Sequence, residues 1–283
     1  MRQPKNTKLQ RYNAVMDFHG TPIPYTYWTH LEQSAPPDTI VFLGTAQINK
    51  IPLWVAQQCP PGTVVVQGFP HWLTKPDASD LGEAMLAHAK HALETIMQQF
   101  HVSRMHIVAE SQAAPCVVWL AGQLPQNVGS ITMIMPLGLN TAAYGNSSAK
   151  AFKQLVGRSV RSTLQFEQSP LHDKRNVYIV YTVAKMVLGG CFDGSTTKKY
   201  TFGIMQDMST WLASLIASQP HRRIYVILGG RDRIFPAKEL QATLAQPQFA
   251  SVKQIFFPKA SHSSMAIHSS KPLLGAAITS VRS

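Results

Sequence analysis

A mostly parallel, eight-stranded α/β sheet with helices on both faces and a helical insertion late in the sheet is the fold class this sequence predicts. Three observations point to it. Short apolar runs stopped by glycine or a polar residue recur along the chain, as buried parallel strands do. Amphipathic stretches separate them, and strand-helix alternation implies parallel pairing. The rhythm breaks once, between residues 137 and 200, and then resumes. With 283 residues, 45% apolar and only 14% charged, the chain has enough apolar material for a substantial core, which excludes a disordered chain or a stapled mini-protein.

In chain order, residues 9–17 and 23–30 read as strands, followed by TIVFL at 39–43, stopped by Gly44. TVVVQ at 63–67 and MHIVA at 105–109 repeat that form. Between them, residues 80–100 place Leu81, Met85, Ala89, Leu93 and Met97 at four-residue steps, a helical stripe with Asp80 as its starting cap. A helix over 113–124 and a strand over 130–135 continue the alternation. Residues 137–200 are rich in Gly, Ser, Asn and Lys around helical pieces and read as a cap, leaving 1–136 and 201–283 as the core. A helix at 202–218, strands at 224–228 and 252–257, and a helix from residue 272 complete the chain.

The three cysteines, Cys59, Cys116 and Cys191, form neither a disulfide framework nor a metal-binding pair and fit a reducing, cytoplasmic setting. The basic N-terminus lacks the apolar stretch of a signal peptide, and no window is long and apolar enough to span a bilayer. The formal charge of +12 suggests anionic surfaces or substrates. Residues 141–200 contribute nine Lys and Arg against three Asp and Glu, without the basic-aromatic pattern of a nucleic-acid module, so no specific nucleic-acid partner is expected.

The residues with chemical promise follow strands. MHIVA runs into Glu110-Ser111-Gln112-Ala113-Ala114-Pro115 and then a helix, placing Ser111 at a strand-to-helix turn. Such a turn accepts only small side chains two residues before and after the serine, and Ala109 and Ala113 stand there. A serine nucleophile needs a base, and an imidazole base needs a carboxylate. The strand at 224–228 ends in GGRDRIFP, which puts Asp232 on a loop at the C-terminal sheet edge, where such sheets hold ligands. QIFF is followed by PKASHSS, which brings His262 to the same edge.

With AESQAA at the turn, GGRDRIFP as the acid loop and KASHSS as the histidine loop, in the order Ser, Asp, His, the chain resembles the α/β-hydrolase superfamily from about residue 23 onward. The resemblance implies a capped serine hydrolase that cleaves a carboxylic ester or thioester through an acyl-enzyme, with Ser111, Asp232 and His262 as the triad. It also implies an oxyanion hole from the backbone N–H groups of Gln112 and Thr45. The family's His-Gly pair before that loop is Leu43-Gly44 here, and alanines replace the usual elbow glycines. No metal or cofactor is implied, and the partner expected is a small-molecule ester or thioester.

Each residue has a plainer reading. Ser111 is a suitable helix N-cap, Asp232 a turn-former flanked by Arg231 and Arg233, and His262 one of eleven histidines. A non-catalytic ligand- or partner-binding protein on the same fold is the competing class. His88 and His91 share a helix face but have no further ligand at metal spacing and read as solvated. Asp77 and Asp80 suit the positive end of the helix they precede. The Met133, Met135 and Met186 side chains read as core filler or as pocket lining.

Overall fold

Fully buried strands form the middle of the sheet because their residues are apolar on both faces. A computed structural model describes residues 10–18, 21–29, 39–43, 64–68, 81–140, 144–145, 147–163, 208–262 and 271–282, with isolated positions 57, 184, 187, 188 and 201. Its strands are β1 (Gln10–Phe18), β2 (Thr21–Thr29), β3 (Thr39–Leu43), β4 (Val64–Gly68), β5 (Met105–Glu110), β6 (Val128–Ile134), β7 (Arg223–Gly229) and β8 (Lys253–Phe257). They lie in the order β1-β2-β4-β3-β5-β6-β7-β8. β1 and β2 pair antiparallel with each other, as do β2 and β4, and every pairing from β4 to β8 is parallel.

Period-two alternation sends alternate residues of these strands into two cores. Val41, Ile107, Ala109, Ile131, Met133, Val226 and Leu228 join one core with helices α1 (Leu81–Phe100), α2 (Ala114–Gln123) and α4 (Met208–Ser218). Ile40, Val108, Ile134 and Ile227 join the other, covered by Leu273, Ala277 and Ile278 of α6 (Lys271–Arg282). Every residue of β5 and β6 is buried, whereas edge strand β8 alternates toward solvent. The β1-β2 hairpin keeps one wet face, with Val15 exposed, and is pinned by Tyr27, which stacks on Tyr12 and meets Phe100 of α1 edge-on.

The core stripe of α1 differs from a strict four-residue repeat. Leu86, Ala89, Leu93 and Ile96 are buried, while Met97 is half-buried and the Leu81 and Met85 side chains lie outside the described residues. Four residues turn an α-helix by about 400°, so a four-residue row drifts by about 40° per step and a three-residue step must restore it. His91 is not merely solvated either: it donates to the backbone carbonyl of Asp17 on β1. Asp77, Asp80 and the His88 side chain lie outside the described residues. Met133 and Met135 are fully buried core residues, and Met186 lies outside the described residues.

Of residues 137–200, the longest described element is α3 (Ser148–Thr163). It packs Ala151 and Leu155 into the first core, and Tyr144 just before it is buried there too. Lys150, Lys153 and Arg161 of this helix are exposed. Arg158 is not among the free basic charges. It forms an ion pair with Glu239 of α5 (Ala237–Leu244).

Candidate active site

β5 delivers Ser111 to the sheet edge in an unusual backbone state. Glu110 still has extended angles, but Ser111 takes φ 52, and residues Ser111–Ala113 form a single 3-10 turn before α2 begins. A left-handed, non-glycine residue costs on the order of 1–3 kcal/mol, and such strain concentrates at functional turns. Ala113 is right-handed at φ −79 and, like Ala109, is buried in the core, so neither position requires glycine. Pro115 occupies the first turn of α2, where its missing N–H goes unneeded. The N-cap of α2 is Ala113, not Ser111.

The serine hydroxyl is used elsewhere. Ser111 Oγ lies 3.0 Å from His262 Nε2, and His262 Nδ1 lies 2.9 Å from Asp232 Oδ2. The ionised carboxylate accepts only, so Nδ1–H donates to it, leaving the Nε2 lone pair to accept the Ser111 proton. Asp232 is 3% exposed. Its other oxygen, Oδ1, accepts from the Ile234 and Phe235 N–H groups, both at 2.9 Å. It therefore shapes the loop and orients the imidazole at once. The Phe235 ring meets the His262 ring edge-on at 4.9 Å.

Two glycines allow the acid loop and the histidine loop to touch. A Cβ on Gly229 would stand 2.6 Å from the Ala260 carbonyl oxygen, and one on Gly230 would stand 2.5 Å from that of Pro258. In that space Gly230 N–H donates to Phe257 and Arg231 N–H to Ala260, both at 2.9 Å. The sequence reading used these glycines only as the end of a strand, yet they set the spacing between Asp232 and His262. Gln112 lies in the turn directly after Ser111, and Thr45 lies outside the described residues. Among the described residues no cluster of His, Cys, Asp and Glu could hold a metal, and no helix is long and apolar enough to cross a membrane.

No family model matches the chain, nor does any curated protein sequence. Solved structures do. A thioesterase domain from the curacin biosynthetic pathway superposes with a TM-score of 0.59 at 13% identity, over 95% of this chain and 99% of that one. The chain has the α/β-hydrolase fold. Two more α/β hydrolases superpose as broadly. The 2-hydroxy-6-oxo-6-phenylhexa-2,4-dienoate hydrolase of a Rhodococcus strain gives a TM-score of 0.60 at 12% identity, over 96% of this chain and 100% of that one. A bromoperoxidase from Bacillus anthracis gives 0.61 at 11%, with the same coverage. In open parallel sheets ligands sit beyond the carboxyl ends of the strands, and Ser111, His262 and Asp232 meet beyond those ends here.

Glu110 is a site residue with no role in the sequence reading. It is 9% exposed, directly precedes Ser111, and its Oε2 has no hydrogen-bond partner among the described residues. Burial pushes its pKa up to about 7, with the His262 charge opposing and the Asp232 charge adding. Burial alone would lower the His262 pKa, but the charge of Asp232, its hydrogen bond and the charge of Glu110 outweigh burial and raise it. The folded chain thus holds the Glu110 proton more tightly than the unfolded chain does. The stability this contributes is complete below about pH 4.5 and is lost as pH rises to about 7, a fall of roughly 3 kcal/mol. The raised His262 pKa extends the same fall above pH 6.5. Urea denaturation of Glu110→Gln is expected to show a flatter loss of stability between pH 5 and 7 than the parent; an unchanged slope contradicts the assignment.

Proposed function

We propose that the chain is a serine hydrolase that cleaves a carboxylic ester or thioester through an acyl-enzyme. Ser111 Oγ bonds to the acyl carbon as its proton passes to His262 Nε2. The tetrahedral intermediate collapses, the acyl–O or acyl–S bond breaks, and the leaving alcohol or thiol takes that proton. Water then repeats the sequence on the acyl-enzyme, releasing the acid and restoring Ser111. Asp232 keeps Nδ1 protonated and stabilises the imidazolium, and the N–H groups of Gln112 and Thr45 hold the oxyanion.

One observation carries this reading: a serine held at φ 52 donates to an imidazole whose other nitrogen is committed to a buried carboxylate. The thioesterase domain among the similar structures supports the acyl substrate class. Residues 137–200 serve as a cap on the core formed by 1–136 and 201–283, and the buried free thiol of Cys116 suits a cytoplasmic setting.

The substrate is a small molecule with an apolar acyl part, neutral or anionic, entering beneath the cap. Lys150, Lys153 and Arg161, exposed on α3, supply the positive field for an anionic one. The test compares kcat/KM for matched p-nitrophenyl esters with and without a distal carboxylate at low and high salt. The carboxylate-bearing ester is expected to gain at low salt, since screening shortens the field's reach. No such gain removes steering by α3, and no turnover of either ester removes the hydrolase reading.

A further inference from the structure

We propose that Arg158 and Tyr144 form a latch that sets the position of the acid and the histidine from outside the site. The inference rests on the hydrolase reading for its catalytic consequence, but its geometry stands apart from it. Tyr144 Oη donates to the Ile234 carbonyl at 2.7 Å, and Arg158 Nη1 donates to that same oxygen at 3.1 Å. Arg158 also grips Glu239 with two bonds, Nη1 to Oε2 at 3.1 Å and Nη2 to Oε1 at 3.3 Å. Its Nη1 reaches Tyr144 Oη at 3.3 Å, and its guanidinium stands 4.7 Å from the centre of the Tyr144 ring.

What makes this a positioning device is the residue it holds. The Ile234 N–H donates to Asp232 Oδ1, and Ile234 C=O is the oxygen the latch takes. The next residue, Phe235, lies 6.0 Å from the Tyr144 ring and 4.9 Å from the His262 ring, centre to centre. The Ile234–Phe235 peptide, whose C=O the latch takes and whose N–H donates to Asp232 Oδ1, and the Phe235 ring therefore connect the latch to Asp232 and His262. Burial pushes the Tyr144 phenol upward, so it remains a donor through the alkaline range. Arg158 is suited to the task because its planar, pre-organised fork can bind Glu239 in two places and still spare a proton for a carbonyl. Arg158 lies on α3 and Glu239 on α5, so the latch ties these two helices to the acid loop through the Ile234 carbonyl.

The experiment reads the titration of the His262 imidazole by NMR in the full chain, in the parent and in Arg158→Met, Arg158→Lys and Tyr144→Phe. Loosening the acid loop weakens the bond of Asp232 to Nδ1, so the His262 titration is expected to move down by about half a pH unit or more in Arg158→Met, less in Arg158→Lys, and measurably in Tyr144→Phe. The acid limb of kcat/KM for a p-nitrophenyl ester should move with it, with kcat lowered by about 10- to 100-fold and KM little changed, as misplacement of a catalytic group predicts. Tyr144→Phe keeps the ring and removes only one donor, so it carries the test if Arg158→Met folds poorly. A His262 titration that stays in place in Tyr144→Phe and the folded Arg158 variants overturns the latch. A titration that moves in a protein without ester turnover upholds the latch and overturns the hydrolase reading alone.

Discussion

Ser111→Ala is expected to lower kcat for a short p-nitrophenyl ester by about 10⁶-fold, the loss seen when a triad nucleophile is removed. The size follows from what the side chain does: without Oγ no acyl-enzyme forms, and only the residual advantage of binding and oxyanion stabilisation over water is left. The fold should survive. Alanine keeps the Cβ that serine already places at φ 52, so the backbone strain is the same, and one hydrogen bond to His262 is lost. Steady-state kinetics with a melting curve on the same preparation check both halves. Turnover within tenfold of the parent would remove Ser111 from the mechanism.

Asp232→Asn has the second-largest expected effect, a fall in kcat of about 10⁴-fold. The amide oxygen can still accept from Ile234 and Phe235, which preserves the loop. The amide NH2 then faces His262 Nδ1, where the carboxylate oxygen lies now. A donor opposite Nδ1 selects the tautomer with the proton on Nε2, so the atom facing Ser111 can no longer accept its proton. Loss of the carboxylate charge and of its hydrogen bond also lets burial dominate, so the His262 pKa falls from its raised value. The pH profile checks this: raising pH restores neutral imidazole in the parent, whereas in Asp232→Asn the imidazole is already neutral and the rate stays low. Recovery of the parent rate at alkaline pH would contradict the tautomer argument.

The strands and the three residues of the hydrogen-bonded chain were legible in the sequence because each carries a local signature. Strands show as short runs rich in apolar residues, and Ser111 follows one directly while Asp232 and His262 lie on the short loops after two others. Other parts of the site carry no local signature. Nothing in the sequence around Glu110 marks it, and only the fold reveals that its carboxyl is buried, with no partner at Oε2 among the described residues. Arg158 sits in a basic helix and reads as solvated, since its partner Glu239 lies 81 residues away. Gly229 and Gly230 matter through a carbonyl approach from another loop, a contact between segments that no single stretch of sequence encodes. The drift of the α1 stripe is of a different kind, arising from reading a 3.6-residue period in steps of four.

The most direct test of the central claim is covalent labelling with a fluorophosphonate probe, which requires a serine activated by a neighbouring base. The hydrogen-bonded chain from Ser111 through His262 to Asp232 predicts stoichiometric labelling, with the modified residue mapped by peptide mass spectrometry to Ser111. Labelling should disappear in Ser111→Ala and weaken sharply in Asp232→Asn. Well-folded protein that takes up no probe at Ser111, or takes it up equally at other serines, contradicts the account.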